Sequence, residues 1–279
     1  TFCFYRTATS DNFKPVSAPP PRENISIIPF NLKRHKQKHH QHYKYYQKEM
    51  TQPPQASSPP FTTYQTLTVQ THPQSPTTLH VTLQRPKKRN AMNSQMFRDI
   101  SHLFSHLDQS PTHRCVLLTG AGPSFCGGID TSDPTLINYV TRDDADVARR
   151  ILSFRPQITD MQRAISSLEK CPLPVVVAIR GWCIGAGVDL VCAADVRLCD
   201  DTAVFSIREV RVGLAADVGT LQRFPKIVGG GSRVRELCLT GEDFDASEAE
   251  RIGFVSRVCR MGSLEEEAVK ICERVGTCS

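Results

Sequence analysis

Three carboxylates stand in apolar or small-residue surroundings: Asp189 in "GWCIGAGVDL", and Glu209 and Asp217 in "REVRVGLAADVGTLQRFP". Carboxylates in such surroundings are candidates for general acid/base work, with burial and like charge shifting their pKa values. Two glycine-rich loops, "FCGGID" and "CIGAGVD", each follow a buried-strand pattern, and the second opens a helix. Glycine lets backbone N–H groups approach a ligand closely, and a helix N-terminus adds partial positive charge. Two such loops converging on one carbonyl oxygen would form an oxyanion hole. Neither loop carries GxGxxG or Gly-Lys-Ser/Thr, which leaves out a dinucleotide fingerprint and a phosphate loop.

Each feature also has an ordinary reading. A glycine turn can serve packing alone. Asp189 could be a helix-terminus acid, Glu209 could pair with Arg208, Arg211 or Arg223, and Asp217 could N-cap the helix beginning "VGTLQRFP". Asp195 and Asp200 read as structural.

The elements that must position these groups follow from patterning. "YQTLTVQ" and "TTLHVTLQ" alternate and predict a hairpin. "RPKKRNAMN" is a basic turn, and "SQMFRDISHLFSHLD" predicts a helix with Ser94 as N-cap. "RCVLLTG" and "PVVVAIRG" read as buried strands, and "GAGVDLVCAAD" as a helix opening directly from the second. "DDADVARRILSFRPQITDMQRAISSLEKC" predicts a long amphipathic helix bent near Pro156. "VRLCDDTAVFSI" gives two short strands, and helical pieces follow from about Val218. "FVSRVC" is a last strand and "SLEEEAVKICERV" a closing helix. Strands alternating with helices define an α/β class with crossover connections.

At 279 residues, 39% hydrophobic and 22% charged, the composition is that of a globular protein. No apolar run is long enough to span a bilayer. The net charge of +6 owes much to the run from Asn31 to Glu49, with six Lys or Arg, four His and one acid. Residues 1–60 lack helical or strand periodicity and are expected to be a disordered or non-native tail, with residues 61–279 the folded domain. An organellar presequence and a nucleic-acid-binding run are the weaker alternatives for that tail. The eleven cysteines show no CxxC or Cys/His metal spacing and read as reduced, mostly buried thiols.

From about Thr63 to Cys272 the chain resembles the crotonase (enoyl-CoA hydratase/isomerase) superfamily. The resemblance rests on "LQRPKKRNAMN", "LLTGAGPSFCGGID", "CPLPVVVAIRGWCIGAGVDLVCAADVRLC" and "REVRVGLAADVGTLQRFPKIVG". The last two are similar to the dienoyl-CoA isomerase branch, where general hydratases carry Glu in place of Asp189 and a small residue in place of Asp217. The resemblance implies a spiral of ββα repeats packing as a homotrimer or hexamer. It implies an acyl-CoA substrate with no cofactor, metal or nucleic acid, and a mitochondrial or peroxisomal setting. It places the oxyanion hole at the N–H groups of Ile129 and of Ala186 or Gly187. It places CoA contacts at Arg85, Lys88, Ala91, Gly127, Gly128, Ile129, Asp130 and Thr131. The family's segment after the last helix is not seen here, so the domain is expected to lack its usual C-terminal helices.

The chemistry implied is a shift of 3,5-dienoyl-CoA to 2,4-dienoyl-CoA in unsaturated fatty acid β-oxidation. Glu209 takes the C2 proton, Asp217 supplies one at C6, and Asp189 tunes both. A 2-enoyl-CoA hydratase and a non-catalytic or truncated crotonase-like protein are the alternatives.

Overall fold

The computed structural model describes residues 64–110, 112–136 and 146–278. The expected N-terminal tail and its basic run lie outside the described residues. The predicted hairpin is present: β1 (Leu67–His72) pairs antiparallel with β2 (Ser75–Leu83). The chain then adds β3 (Cys115–Gly120), β4 (Val175–Ile179), β6 (Val196–Asp200) and β9 (Arg257–Cys259), all parallel, in the order β1-β2-β3-β4-β6-β9. A second sheet of three strands, ordered β5-β7-β8, holds β5 (Trp182–Ile184), β7 (Val204–Ser206) and β8 (Asp243–Asp245). Successive turns of chain thus place β4 and β6 in the first sheet and β5 and β7 in the second.

The β3 and β4 sequences, "CVLLTG" and "VVVAI", are continuous apolar runs because both faces of the central sheet are covered. Strand alternation sends Val116, Leu118, Val175, Val177 and Ile179 into the main core. Cys115, Leu117, Val176 and Ala178 face the other way, where they meet Leu264, Ala268, Val269 and Cys272 of the closing helix α7 (Leu264–Cys278).

Helix α1 (Ser94–Ser105) buries Met96, Phe97, Ile100, Leu103 and Phe104 along one stripe. Its N-cap is Asn93, not Ser94: the Asn93 side chain accepts from Met96 N–H at 2.9 Å. Ser94 is the first helical residue instead, and its N–H donates to Asp133 Oδ2 at 2.7 Å. Helix α2 (Val147–Glu169) runs with Pro156 inside it. Helix α3 (Ala186–Cys192) does not open directly from β4, because the three residues of β5 intervene.

After β7, a 3₁₀ turn covers Glu209–Val212, and α4 (Thr220–Ile227), α5 (Ser232–Thr240) and α6 (Ala246–Arg251) follow. Phe205, Phe224, Phe244 and Phe254 pack ring against ring, with centroids as close as 5.0 Å between Phe224 and Phe254. Offset and edge-to-face aromatic pairs stabilise beyond area burial alone. This cluster braces the small sheet from which the Glu209 turn emerges. The cysteines of the described residues are all free thiols, seven of them buried. Burial pushes the Cys126 thiol up to about 12.

Candidate active site

Asp189, Glu209 and Asp217 are brought together around one cavity of about 270 Å³. Gly127, Gly128, Ile129, Thr131, Gly185 and Ala186 line it from the two glycine loops. A larger surface groove of about 770 Å³ beside Trp182 contains none of the three acids.

The loops are locked to each other. Cys126 forms a parallel bridge with Cys183 of β5: its N–H donates to Trp182 O at 2.8 Å and its carbonyl accepts from Ile184 N–H at 2.9 Å. A β-carbon on Gly187 would sit 2.9 Å from Cys126 Cβ, so only glycine permits this approach. On the first loop, Met92 N–H donates to Gly128 O and Asp130 N–H donates to Met92 O. That parallel bridge turns the N–H of Ile129 away from Met92. On the second loop, Ala186 and Gly187 begin α3, so their N–H groups have no intrahelical acceptor. None of these three N–H groups donates to an acceptor among the described residues.

The acids differ in surroundings. Asp189 is wholly buried on α3, and Thr220 donates to its Oδ1 through both N–H and Oγ1, at 2.6 and 2.7 Å. Burial raises the Asp189 pKa to about 6; the Thr220 bonds oppose the rise and Asp217 adds to it. Glu209 lies on the 3₁₀ turn with Oε2 buried and unpartnered. Burial, then the like charges of Asp189 and Asp217, push it up to about 7. Its carboxylate abuts Gly185, where a β-carbon would meet Oε1 at 3.2 Å and φ is +50°. Asp217 is half-buried, and burial raises its pKa as well. Its backbone carbonyl accepts from Gln162 Nε2 at 2.8 Å, which ties its loop to α2.

The ordinary reading describes Asp189, an acid in the first turn of α3, but not the contacts of Glu209 and Asp217. Arg208 pairs with Asp243 at 2.6 Å and Arg223 with Glu169 at 2.5 Å. Arg211 donates to Thr240 O. None of the three is bonded to Glu209. Asp217 is not an N-cap: Gly219 holds that place on α4, and the carboxylate reaching that helix start is Asp189. Asp195 and Asp200 are structural, bonding Val175 N–H and Thr202.

Of the expected CoA contacts, Gly127, Gly128, Ile129 and Thr131 line the cavity, whereas Arg85, Lys88, Ala91 and Asp130 do not. Arg85 is committed internally. It pairs with Asp130 Oδ2 at 2.8 Å and donates to Ala91 O, clasping the turn to the first glycine loop. Burial acts to raise the Asp130 pKa, but hydrogen bonds from Ser132 and Arg85 hold it at about 2. Lys88 is exposed, 3.5 Å from Ser132 Oγ. Sequence reading missed the apolar wall built by Phe97, Leu136, Phe154, Ile158 and Met161. The last three recur at i, i+4 and i+7 on α2, a stripe that marks a helix face without saying that it fronts a cavity.

One cluster among the described residues, His72, His80 and Glu265, brings three metal-ligating atoms within 4.8 Å of one another. His72 Nδ1 accepts from Gln74 N–H at 3.3 Å, which leaves the proton on Nε2, facing Glu265 at 3.5 Å. That tautomer makes Glu265 a partner of the imidazole rather than a co-ligand. No described helix is long and apolar enough to cross a membrane.

Two sheets that share successive turns of chain, with a glycine-lined cavity between a helix start and a loop, define the crotonase class of fold. The chain belongs to the enoyl-CoA hydratase/isomerase family, which matches residues 74–278. The mitochondrial Δ(3,5)-Δ(2,4)-dienoyl-CoA isomerase of Homo sapiens is 47% identical over 180 residues, covering 64% of this chain and 55% of that one. This chain therefore spans about half the length of the mammalian relatives it matches. The peroxisomal enzyme of that name from Arabidopsis thaliana is 39% identical, covering 76% of this chain and 77% of that one. The crystal structure of an enoyl-CoA hydratase from Bacillus anthracis superposes with a TM-score of 0.67 at 26% identity, covering 76% of this chain and 77% of that one.

Proposed function

We propose that this chain isomerises 3,5-dienoyl-CoA to 2,4-dienoyl-CoA. The observation that carries the reading is the convergence of three acids with raised pKa values on one cavity that also receives unpaired N–H groups. The thioester oxygen sits between the N–H of Ile129 and that of Ala186 or Gly187. Donors of this kind each contribute about 3 kcal/mol to an oxyanion-like transition state. Glu209, ionised above its pKa of about 7, takes the C2 proton. The negative charge spreads along the conjugated chain from C2 to C6. Asp217, whose raised pKa favours the protonated form, gives a proton at C6. One proton leaves and one arrives, and the proton on Glu209 returns to Asp217 before the next turnover. The balance calls for no redox group or metal ion. Asp189 sets the charge around both. Gly127, Gly128 and Thr131 carry the CoA side of the substrate, while Arg85 and Asp130 hold that loop in shape.

Identity to the named isomerases supports the choice of reaction, and their names support a mitochondrial or peroxisomal setting; a place in unsaturated fatty acid β-oxidation belongs to the same proposal. Trimeric or hexameric assembly is part of the same reading. A hydratase would not need the C6 donor, so loss of isomerisation with retained hydration in Asp217→Gly would favour the isomerase reading over the hydratase.

The deciding assay follows the absorbance of the conjugated product from 3,5-octadienoyl-CoA. Glu209→Gln and Asp217→Asn should each lose about 10² to 10⁴-fold in kcat. Variants as active as the parent chain would refute the reading.

A further inference from the structure

Asp189 and the start of α4 are joined by an unusual arrangement. Gly219, the N-cap of α4, has no side chain to offer, so the helix start takes its acceptor from a carboxylate 31 positions earlier. Thr220 N–H and Oγ1 both donate to the same atom, Asp189 Oδ1. Thr220 is wholly buried. Asp217 lies three residues before it, in the loop that Gln162 anchors from α2.

We propose that Thr220 is a positioning residue: its N–H and hydroxyl fix the Asp189 carboxylate in the acid cluster and, through Asp189, the same contact acts on Glu209. The inference rests on the isomerase reading for its use but not for its test.

Several groups act on Asp189. Glu209 comes from the 3₁₀ turn, Asp217 from the following loop and Arg223 from α4; the thiols of Cys126, Cys183 and Cys192 surround it from the first loop, β5 and α3. Burial and Asp217 favour the neutral acid, while Arg223 and the Thr220 donors favour the carboxylate. Among these, the Thr220 hydroxyl is the group that can be removed with little change in shape. Without it, Asp189 becomes harder to ionise. Glu209 then loses part of the like charge that raises its own pKa, and becomes easier to ionise.

The test is a carbon-13 carboxyl NMR titration of the parent chain, Thr220→Val and Thr220→Ser. In Thr220→Val, Asp189 should titrate about one pH unit higher, the scale of one charge-assisted hydrogen bond, and Glu209 should titrate lower. Thr220→Ser should restore both. Asp189→Asn gives a second handle that leaves Thr220 intact: Glu209 should titrate lower there too, and adding Thr220→Val should move it no further. Unmoved titrations in Thr220→Val, failure of Thr220→Ser to restore them, or an equal effect of Thr220→Val on the Asp189→Asn background would each overturn the proposal. Because the readout is a proton count on named carboxyls, a chain without isomerase activity but with the expected shifts would refute the reaction and leave this inference standing. An active chain with no shifts would do the reverse.

Discussion

Asp130 and Glu209 are both withdrawn from solvent beside the same cavity, yet hydrogen bonds hold the pKa of one at about 2 and burial pushes the other up to about 7. Asp130 has Arg85 on one oxygen and the Ser132 amide and hydroxyl on the other. Glu209 has a glycine turn on one side and a buried oxygen with no partner. The same chemical group is therefore a brace in one loop and a proton acceptor in the other. The difference lies in how many donors the surrounding backbone supplies. An acid fully paired in the ground state has nothing left to give a substrate, and an unpaired one carries a standing cost that catalysis can use.

The strongest way to break this contrast is to unpair the brace. Arg85→Ala strands the Asp130 carboxylate with only 8% of its side chain exposed. Removing one partner of a buried pair costs about 3 kcal/mol or more. Denaturant unfolding should show a loss of that order, with KM rising as the loop loosens. A loss under 0.5 kcal/mol would mean that the pair is dispensable and Arg85 is free for a ligand.

Glu209→Gln attacks the contrast from the other side and should stabilise the fold while removing activity. The folded-state pKa is raised from 4.5 to about 7, so the native state holds the proton more tightly than the unfolded chain. Below pH 4.5 both states are neutral and the variant gains nothing. As pH climbs to 7 and beyond, burying the charge comes to cost the parent chain about 3 kcal/mol. Partial access of water lowers this to about 2. Thermal unfolding at pH 8 should favour Glu209→Gln, and the advantage should vanish near pH 4.5. Equal melting at both pH values would show that Glu209 has a partner in solution.

How much of this was open to sequence reading follows from the range of each interaction. The three acids and both glycine loops were legible because their types and spacing are local, and the long apolar runs of β3 and β4 announced a sheet covered on both faces. Strands β5 and β8 have three residues each, too few for alternation to register. The fate of Arg85 was not legible: a basic turn shows its charges but not the acid 45 residues on that absorbs one of them. Thr220 stands in plain view in "ADVGT", yet its partner lies 31 positions back, and only packing of α4 on α3 brings them together.

The smallest effect bears on the braced side alone. Asn93 and Ser94 are both good capping types, and sequence pattern chose the wrong one. Asn93 bonds Met96 N–H through its side chain, whereas Ser94 gives its backbone N–H to Asp133. Asn93→Ala should therefore cost about 1 kcal/mol, the usual value of a lost cap. Ser94→Ala keeps the backbone donor to Asp133 and loses only the hydroxyl beside it, so it should cost less than the lost cap. Neither change removes a group that lines the cavity, so kcat should hold in both while the unfolding midpoint falls in the first. If Ser94→Ala were the costlier change, the serine hydroxyl beside Asp133 would matter more than the Asn93 cap. If Asn93→Ala lowered kcat at full stability, the braced side would reach into the chemistry, and the division between paired and unpaired acids would have to be redrawn at α1.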